Sequence, residues 1–117
     1  MLRLAFSGQF KRDYKLAVKR GCEMKKLETA VEFLRREQSL PEEYRDHVLV
    51  NSRNYKGMRE CHIEPNWLLV YKIVQTARTL QLVRTGTHSD SLSMLHRYKK
   101  NFVSCNLLQD SNAAFRV

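Results

Sequence analysis

A chain of 117 residues has room for one domain around a single core. A hydrophobic fraction of 43%, with four Gly and two Pro, excludes a disordered or fibrous polypeptide. Lys and Arg number 21 against 12 Asp and Glu, and a formal charge of +9 on so small a body points to polyanionic partners such as nucleic acid, a ribosome or an acidic protein.

The opening MLRLAFSGQFKR has too short an apolar stretch for a signal peptide, and no later segment approaches the roughly 18 apolar residues of a membrane helix. A cytoplasmic location without membrane association is therefore expected. Leu2 to Phe6 alternate as a strand, and Ser7 then caps a helix carrying Phe10, Tyr14, Ala17 and Val18 on one side, with Gly21 as its stop. A second helix begins near Glu23 and sets Leu27, Ala30, Val31 and Leu34 at i, i+3, i+4 and i+7, the spacing of one buried stripe. Most of Lys11, Arg12, Lys15, Lys19, Lys25, Lys26, Arg35 and Arg36 then fall to the solvated face of this amphipathic pair.

After Pro41 the pattern changes to short strand-like runs: His47 to Val50, Gly57 to Ile63, Trp67 to Val74 and Thr79 to Arg84. Brief polar connections between them predict an antiparallel meander. WLLVYKIV, apolar at nearly every position, reads as a central strand entered through a tight turn at Glu64-Pro65-Asn66. The fold class expected is α+β, with two N-terminal helices packed on a small, mainly antiparallel sheet and a helical or irregular C-terminal tail.

Cys22, Cys61 and Cys105 are odd in number, widely spaced and without a CxxC pair, which speaks for reduced thiols and against a disulfide framework or a zinc site. Cys61 and His62 are strand neighbours, so they point to opposite faces and are poorly placed to share an ion; no metal or other cofactor is expected.

Of four histidines, His47, His62 and His88 fall within or beside the strand region, while His96 lies in the basic LHRYKK segment as a solvated group. Period-two alternation puts Glu60 and His62 on one face of their strand and Arg59, Cys61 and Ile63 on the other. Arg84 ends the last strand just before Thr85-Gly86-Thr87-His88. Metal-free RNA cleavage needs a base for the 2′-hydroxyl, an acid for the leaving 5′-oxygen and a cation for the phosphate, and histidine and arginine fit those tasks. Arg84 and His88 stand four residues apart, so a turn at Thr85 to Thr87, made easy by Gly86, is expected to bring them together. Trp67 and Tyr71 share a face of the apolar strand; Tyr71 reads as core, and Trp67 as either core or a platform for an unpaired base.

The segments YRDHVLVNSRNYKGMRECHIEPNWLLVYKI and LVRTGTHSD resemble the core of YafQ-type toxins, a branch of the RelE/ParE superfamily of bacterial type II toxin-antitoxin systems. The likeness runs from about Leu2 to Leu92. It rests on a DH, a YKG, an R-D/E-x-H, a P-D/N-W and an RTGTHS in that order, which together are far more specific than any one piece. A toxin domain over residues 1–92 and a basic extension of unknown role over 93–117 are the organisation expected.

The resemblance implies a ribosome-dependent mRNA endonuclease that is inhibited by a cognate antitoxin and meets operator DNA only through the antitoxin complex. It implies catalytic roles for His47, His62 and His88, with His88 as general acid and the base left between His47 and His62. It further implies phosphate binding by Arg84, support from Glu60, and substrate contacts at Trp67, Asn66, Lys56 and Leu92. Asn66 stands where relatives usually carry aspartate, and Ser89-Asp90-Ser91-Leu92 lacks the aromatic that usually closes the motif. Those departures keep open a toxin-fold protein that binds antitoxin and ribosome but cuts poorly or not at all. A ParE-like gyrase inhibitor is disfavoured, because the histidine and arginine set has no task there.

Overall fold

The computed structural model describes residues 1–49 and 57–86 and the backbone of 102–104. Lys56, His88, Leu92, His96 and Cys105 lie outside the described residues, as does most of the expected extension. In chain order the elements are β1 (Arg3–Ser7), α1 (Gly8–Lys19), α2 (Met24–Arg35), a short 3-10 turn (Glu42–Tyr44), β2 (His47–Val48), β3 (Arg59–Glu64), β4 (Trp67–Val74), β5 (Thr79–Gly86) and β6 (Phe102–Ser104). The α+β class follows from this order, with both helices lying against one face of the sheet.

β1 runs directly into α1 because Ser7, extended at φ −71° and ψ 156°, accepts the Phe10 N–H on its Oγ. Its hydroxyl also donates to the Val83 carbonyl at 2.6 Å, which ties the start of the helix to β5. Phe10 and Ala17 face inward as their spacing predicts, with Tyr14 partly covered. Val18, expected in the same stripe, is 51% exposed, and Asp13 occupies the inner face instead. Gly21, at φ 76°, takes the left-handed conformation beyond the end of α1.

On α2 the stripe Leu27, Ala30, Val31 and Leu34 is buried as expected. Arg35, expected among the solvated cations, is the exception. It is buried, and its Nε donates to the Leu2 carbonyl at 3.3 Å, while the Leu2 N–H bonds the Arg35 carbonyl at 2.9 Å. The end of α2 is thereby joined to the start of β1, and the long aliphatic stem can lie in the core while the guanidinium finds a backbone acceptor.

The sheet has the order β2-β3-β4-β5-β1-β6. β2 to β5 form the expected antiparallel meander, while β1 pairs in parallel with β5. The core under the helices takes Leu2 just before β1, Leu4 and Phe6 from β1, Cys61 and Ile63 from β3, Trp67, Leu69 and Tyr71 from β4, and Leu80 and Leu82 from β5. A smaller cluster of Met58, Val70 and Val83, with Leu49 against it, covers part of the opposite face. Residues 102–104 belong to the stretch expected to be helical or irregular, yet they form β6 and pair antiparallel with β1. This pairing occupies the outer edge of β1, whose N–H and C=O groups would otherwise lack a neighbouring strand. No helix among the described residues is long and apolar enough to cross a membrane.

Candidate active site

Alternation along β3 sorts its side chains as the sequence predicts. Cys61 and Ile63 enter the core, and Glu60 and His62 take the other face, only partly buried. Burial pushes the Cys61 thiol far above its ordinary 9.0, so it behaves as an apolar core group and not as a thiolate. β2 aligns on β3 with His47 opposite Glu60, and the His47 Nε2 lies 3.5 Å from the Glu60 carboxylate. The His47 and His62 rings are 6.3 Å apart between centroids. Three of the expected site residues are therefore together on the face away from the helices.

His47 is oriented from two sides. Its Nδ1 lies 2.7 Å from the Arg45 carbonyl, and a carbonyl can only accept, so Nδ1 carries the proton and Nε2 is the nitrogen turned to Glu60. Arg45 reaches this position in the left-handed region, at φ 48°. The adjacent Asp46 is gripped by the sheet: it accepts from the Tyr71 hydroxyl and from Arg59, at 3.3 Å from Nε and 3.1 Å from Nη2. The hydrogen bond to Asp46 raises the Arg59 pKa, and burial followed by Asp46 raises that of Tyr71. Tyr71 is a core residue as expected, with its hydroxyl reaching out to hold the strand that presents His47.

Arg84 is placed differently. The strand register sets His47, Glu60, Val70 and Arg84 in one row across the sheet, so Arg84 lies two strands from Glu60, a backbone separation of about 10 Å. A bulge lies beside this row, between the Val70–Arg84 and Tyr71–Leu82 pairings, and the guanidinium turns toward α1. Nε donates to Asp13 Oδ2 at 2.7 Å and Nη2 to Oδ1 at 3.3 Å, with both side chains buried. The Thr85 N–H also donates to Oδ2, at 3.2 Å, and the Gln9 amide to Oδ1, at 3.1 Å. Nη1 is buried without a hydrogen-bond partner among the described residues. Leaving such a donor unmade costs about 1–3 kcal/mol.

Trp67 does not offer an open stacking face. It is 6% exposed in the helix-side core, and its Nε1 donates to Thr85 Oγ1 at 2.8 Å, while the Thr85 hydroxyl donates to the Leu68 carbonyl at 2.8 Å. The turn expected at Thr85 to Thr87 does not begin at Thr85 either, because Thr85 and Gly86 remain in β5, paired with Leu69 and Leu68. With its N–H on Asp13 and its hydroxyl between Trp67 and Leu68, Thr85 is held as strand. Asn66 is exposed in the two-residue turn between β3 and β4.

Asp13 and Asp46 were not among the residues expected at the site. A signal existed for the first: Phe10, Asp13, Tyr14 and Ala17 follow i, i+3, i+4 and i+7, so a carboxylate interrupts an apolar stripe. Asp46 stands within the quoted YRDH, but nothing local shows that its partners come from β3 and β4.

A family model for a bacterial toxin of type II toxin-antitoxin systems, YafQ, matches residues 2–93. The chain belongs to the YafQ toxin family. An mRNA interferase toxin YafQ from Escherichia coli (strain B / BL21-DE3) is 44% identical over 87 residues, which cover 74% of this chain and 90% of that one. Among solved structures, a metal-bound toxin from Helicobacter pylori superposes with a TM-score of 0.72 at 43% identity, covering 77% of this chain and 98% of the other. The YafQ subunit of an E. coli DinJ-YafQ complex gives 0.68 at 41% identity, with 77% and 97% covered. The YafQ match ends at residue 93, where the basic extension was expected to begin.

Proposed function

We propose that this YafQ-family chain is the toxin of a type II pair that cleaves mRNA on the ribosome by acid-base chemistry without a metal, and that a cognate antitoxin protein inhibits it. The observation that carries this reading is the His47, Glu60 and His62 cluster on the exposed face of the sheet, with the His47 tautomer set by the Arg45 carbonyl. The relative named mRNA interferase toxin and the relative solved with DinJ support the substrate and the partner.

In the proposed reaction His47 Nε2 takes the proton of the substrate's 2′-hydroxyl. The Glu60 carboxylate beside it offsets the imidazolium charge that forms, and His62 borders the reacting phosphate. The 2′-oxygen attacks phosphorus, the bond to the 5′-oxygen breaks, and an acid supplies that oxygen with a proton, leaving a 2′,3′-cyclic phosphate and a 5′-hydroxyl. Arg84 holds the negative charge on the phosphate. His88, outside the described residues, is assigned as the acid from the YafQ resemblance, and Lys56 and Leu92 are assigned to substrate contact on the same ground. A formal charge of +9 favours both RNA and an acidic antitoxin segment. Operator DNA is reached through the antitoxin complex.

A second reading, a family member that binds antitoxin and ribosome without efficient cutting, is favoured by the burial of Arg84 and Trp67 and by Asn66. Induced expression followed by mapping of message ends separates the two. Translation arrest with new 5′-hydroxyl ends, lowered about 10²-fold in rate by His47→Ala or His88→Ala, supports the cutting enzyme. Arrest with intact messages supports the binder, and loss of cleavage by the purified chain on Mg²⁺-intact ribosomes when 1,10-phenanthroline removes transition metals rules out the metal-free mechanism.

A further inference from the structure

From the buried pair between α1 and β5 we infer that Asp13 is a positioning residue for phosphate recognition: it holds the Arg84 guanidinium by Nε and Nη2 and reserves Nη1 as the donor for the scissile phosphate. The inference rests on the proposed role of Arg84 in RNA cleavage. A carboxylate that accepts from two of the three guanidinium nitrogens constrains the orientation of the planar group. Oδ2 also accepts the Thr85 N–H, which fixes the carboxylate to the strand that carries Arg84. The Gln9 amide, one turn back on α1, donates to the second oxygen. Every polar atom of this pair except Nη1 has a partner among the described residues, and Nη1 is buried.

An arginine serving only to join the helix to the sheet gains nothing from an unmade, desolvated donor, since a shorter cation would answer Asp13 without one. A donor held by a fixed guanidinium in a water-poor setting is suited to a charge that develops during reaction, because no reorganisation is then needed. Nη1 is enclosed in the free protein, so the RNA phosphate reaches it only as the surrounding surface opens on binding.

The test combines single-turnover cleavage of ribosome-bound mRNA, antitoxin affinity, and the 15N-detected Arg84 Nε–H resonance in the full chain. Asp13→Asn and Arg84→Lys are expected to lower the cleavage rate about 10-fold to 100-fold, while the ribosome concentration for half-maximal rate and the antitoxin affinity stay within about threefold. Asp13→Glu, which retains the charge, is expected to recover part of the rate and to keep a carboxylate-shifted Nε–H resonance that Asp13→Asn loses. The inference is overturned if Asp13→Asn loses that resonance yet cuts at the parent rate, or if Arg84→Lys does so. It is also overturned if antitoxin affinity falls in step with cleavage in both Asp13→Glu and Arg84→Lys, which marks a purely structural pair. A parent chain that cuts no message overturns the proposed function instead, and the retained Nε–H resonance then still reports the Asp13 pairing.

Discussion

The sheet face under α1 and α2 and the face opposite it are made from alternate residues of the same strands, yet their chemistry is unlike. On β3, Cys61 is fully buried and its thiol stays protonated, while His62, one residue on, lies on the face that carries His47 and Glu60. On β4, Trp67 and Tyr71 pack beneath the helices, and even their polar atoms are taken up by Thr85 and Asp46. The helix-covered face supplies stability and fixes positions, and the other face keeps its titratable groups within reach of solvent. Arg84 crosses this division, lying in register with the histidine row while its head group is tied to α1.

The largest expected effect lies in the core. Phe10 is fully buried and stacks on Phe6 with 5.6 Å between ring centroids. Phe10→Ala should destabilise the protein by about 3–5 kcal/mol in urea denaturation; a loss below about 1 kcal/mol would mean that α1 is not packed as described. His62→Ala provides the contrast. Its unfolding free energy should remain within about 0.5 kcal/mol of the parent while cleavage falls about 10²-fold. Equal losses in both measurements would place His62 in the structural half of the molecule.

A smaller effect separates the faces by pH. The folded-state pKa values of Cys61 and Tyr71 are raised above their ordinary 9.0 and 10.0, so the fold binds protons that the unfolded chain releases. Their contribution is fully present below the unfolded values and is lost as pH rises. Stability should therefore decline above about pH 9, with a slope approaching 1.4 kcal/mol per pH unit for each group ionised only in the unfolded chain. Urea midpoints between pH 7 and 10.5 measure this, and Cys61→Ala should remove the part that begins near pH 9. An unchanged alkaline slope in that variant would contradict the burial of the thiol.

The smallest expected effect concerns Trp67. Replacement by Phe keeps the ring in the core but removes the Nε1–H bonded to Thr85, costing about 1 kcal/mol and leaving cleavage within about twofold. A tenfold or greater loss of cleavage at unchanged stability would restore Trp67 as a substrate contact.

Much of this was legible in the chain. The α2 stripe, the Ser7 cap, the Pro65-Asn66 turn and the division of β3 into a buried and a polar face all follow from local periodicity and from residue types that favour one backbone geometry. The His47, Glu60 and His62 cluster required one further step, the pairing of β2 with β3. Val18, Arg35 and Thr85 departed from expectation because each depends on a neighbour remote in sequence: the extent of the sheet beneath α1, the start of β1 beneath α2, and the Asp13 carboxylate beside β5.

The sequence by itself determined the alternation of the strands, the inward stripe of α2, the basic surface and the residue types of the candidate site, because these depend on side-chain period and charge. Only the tertiary structure decided which carboxylates pair with Arg84 and Tyr71. Asp13 and Arg84 are separated by 71 residues, and Asp46 and Tyr71 by 25. Their meeting depends on how α1 lies across β5, on the bulge that turns Arg84 aside, and on the register that brings β2 to the edge of β3. Hydrogen bonds require atoms within about 3 Å and suitably aligned, a condition that local propensity does not carry and that packing of the whole chain supplies.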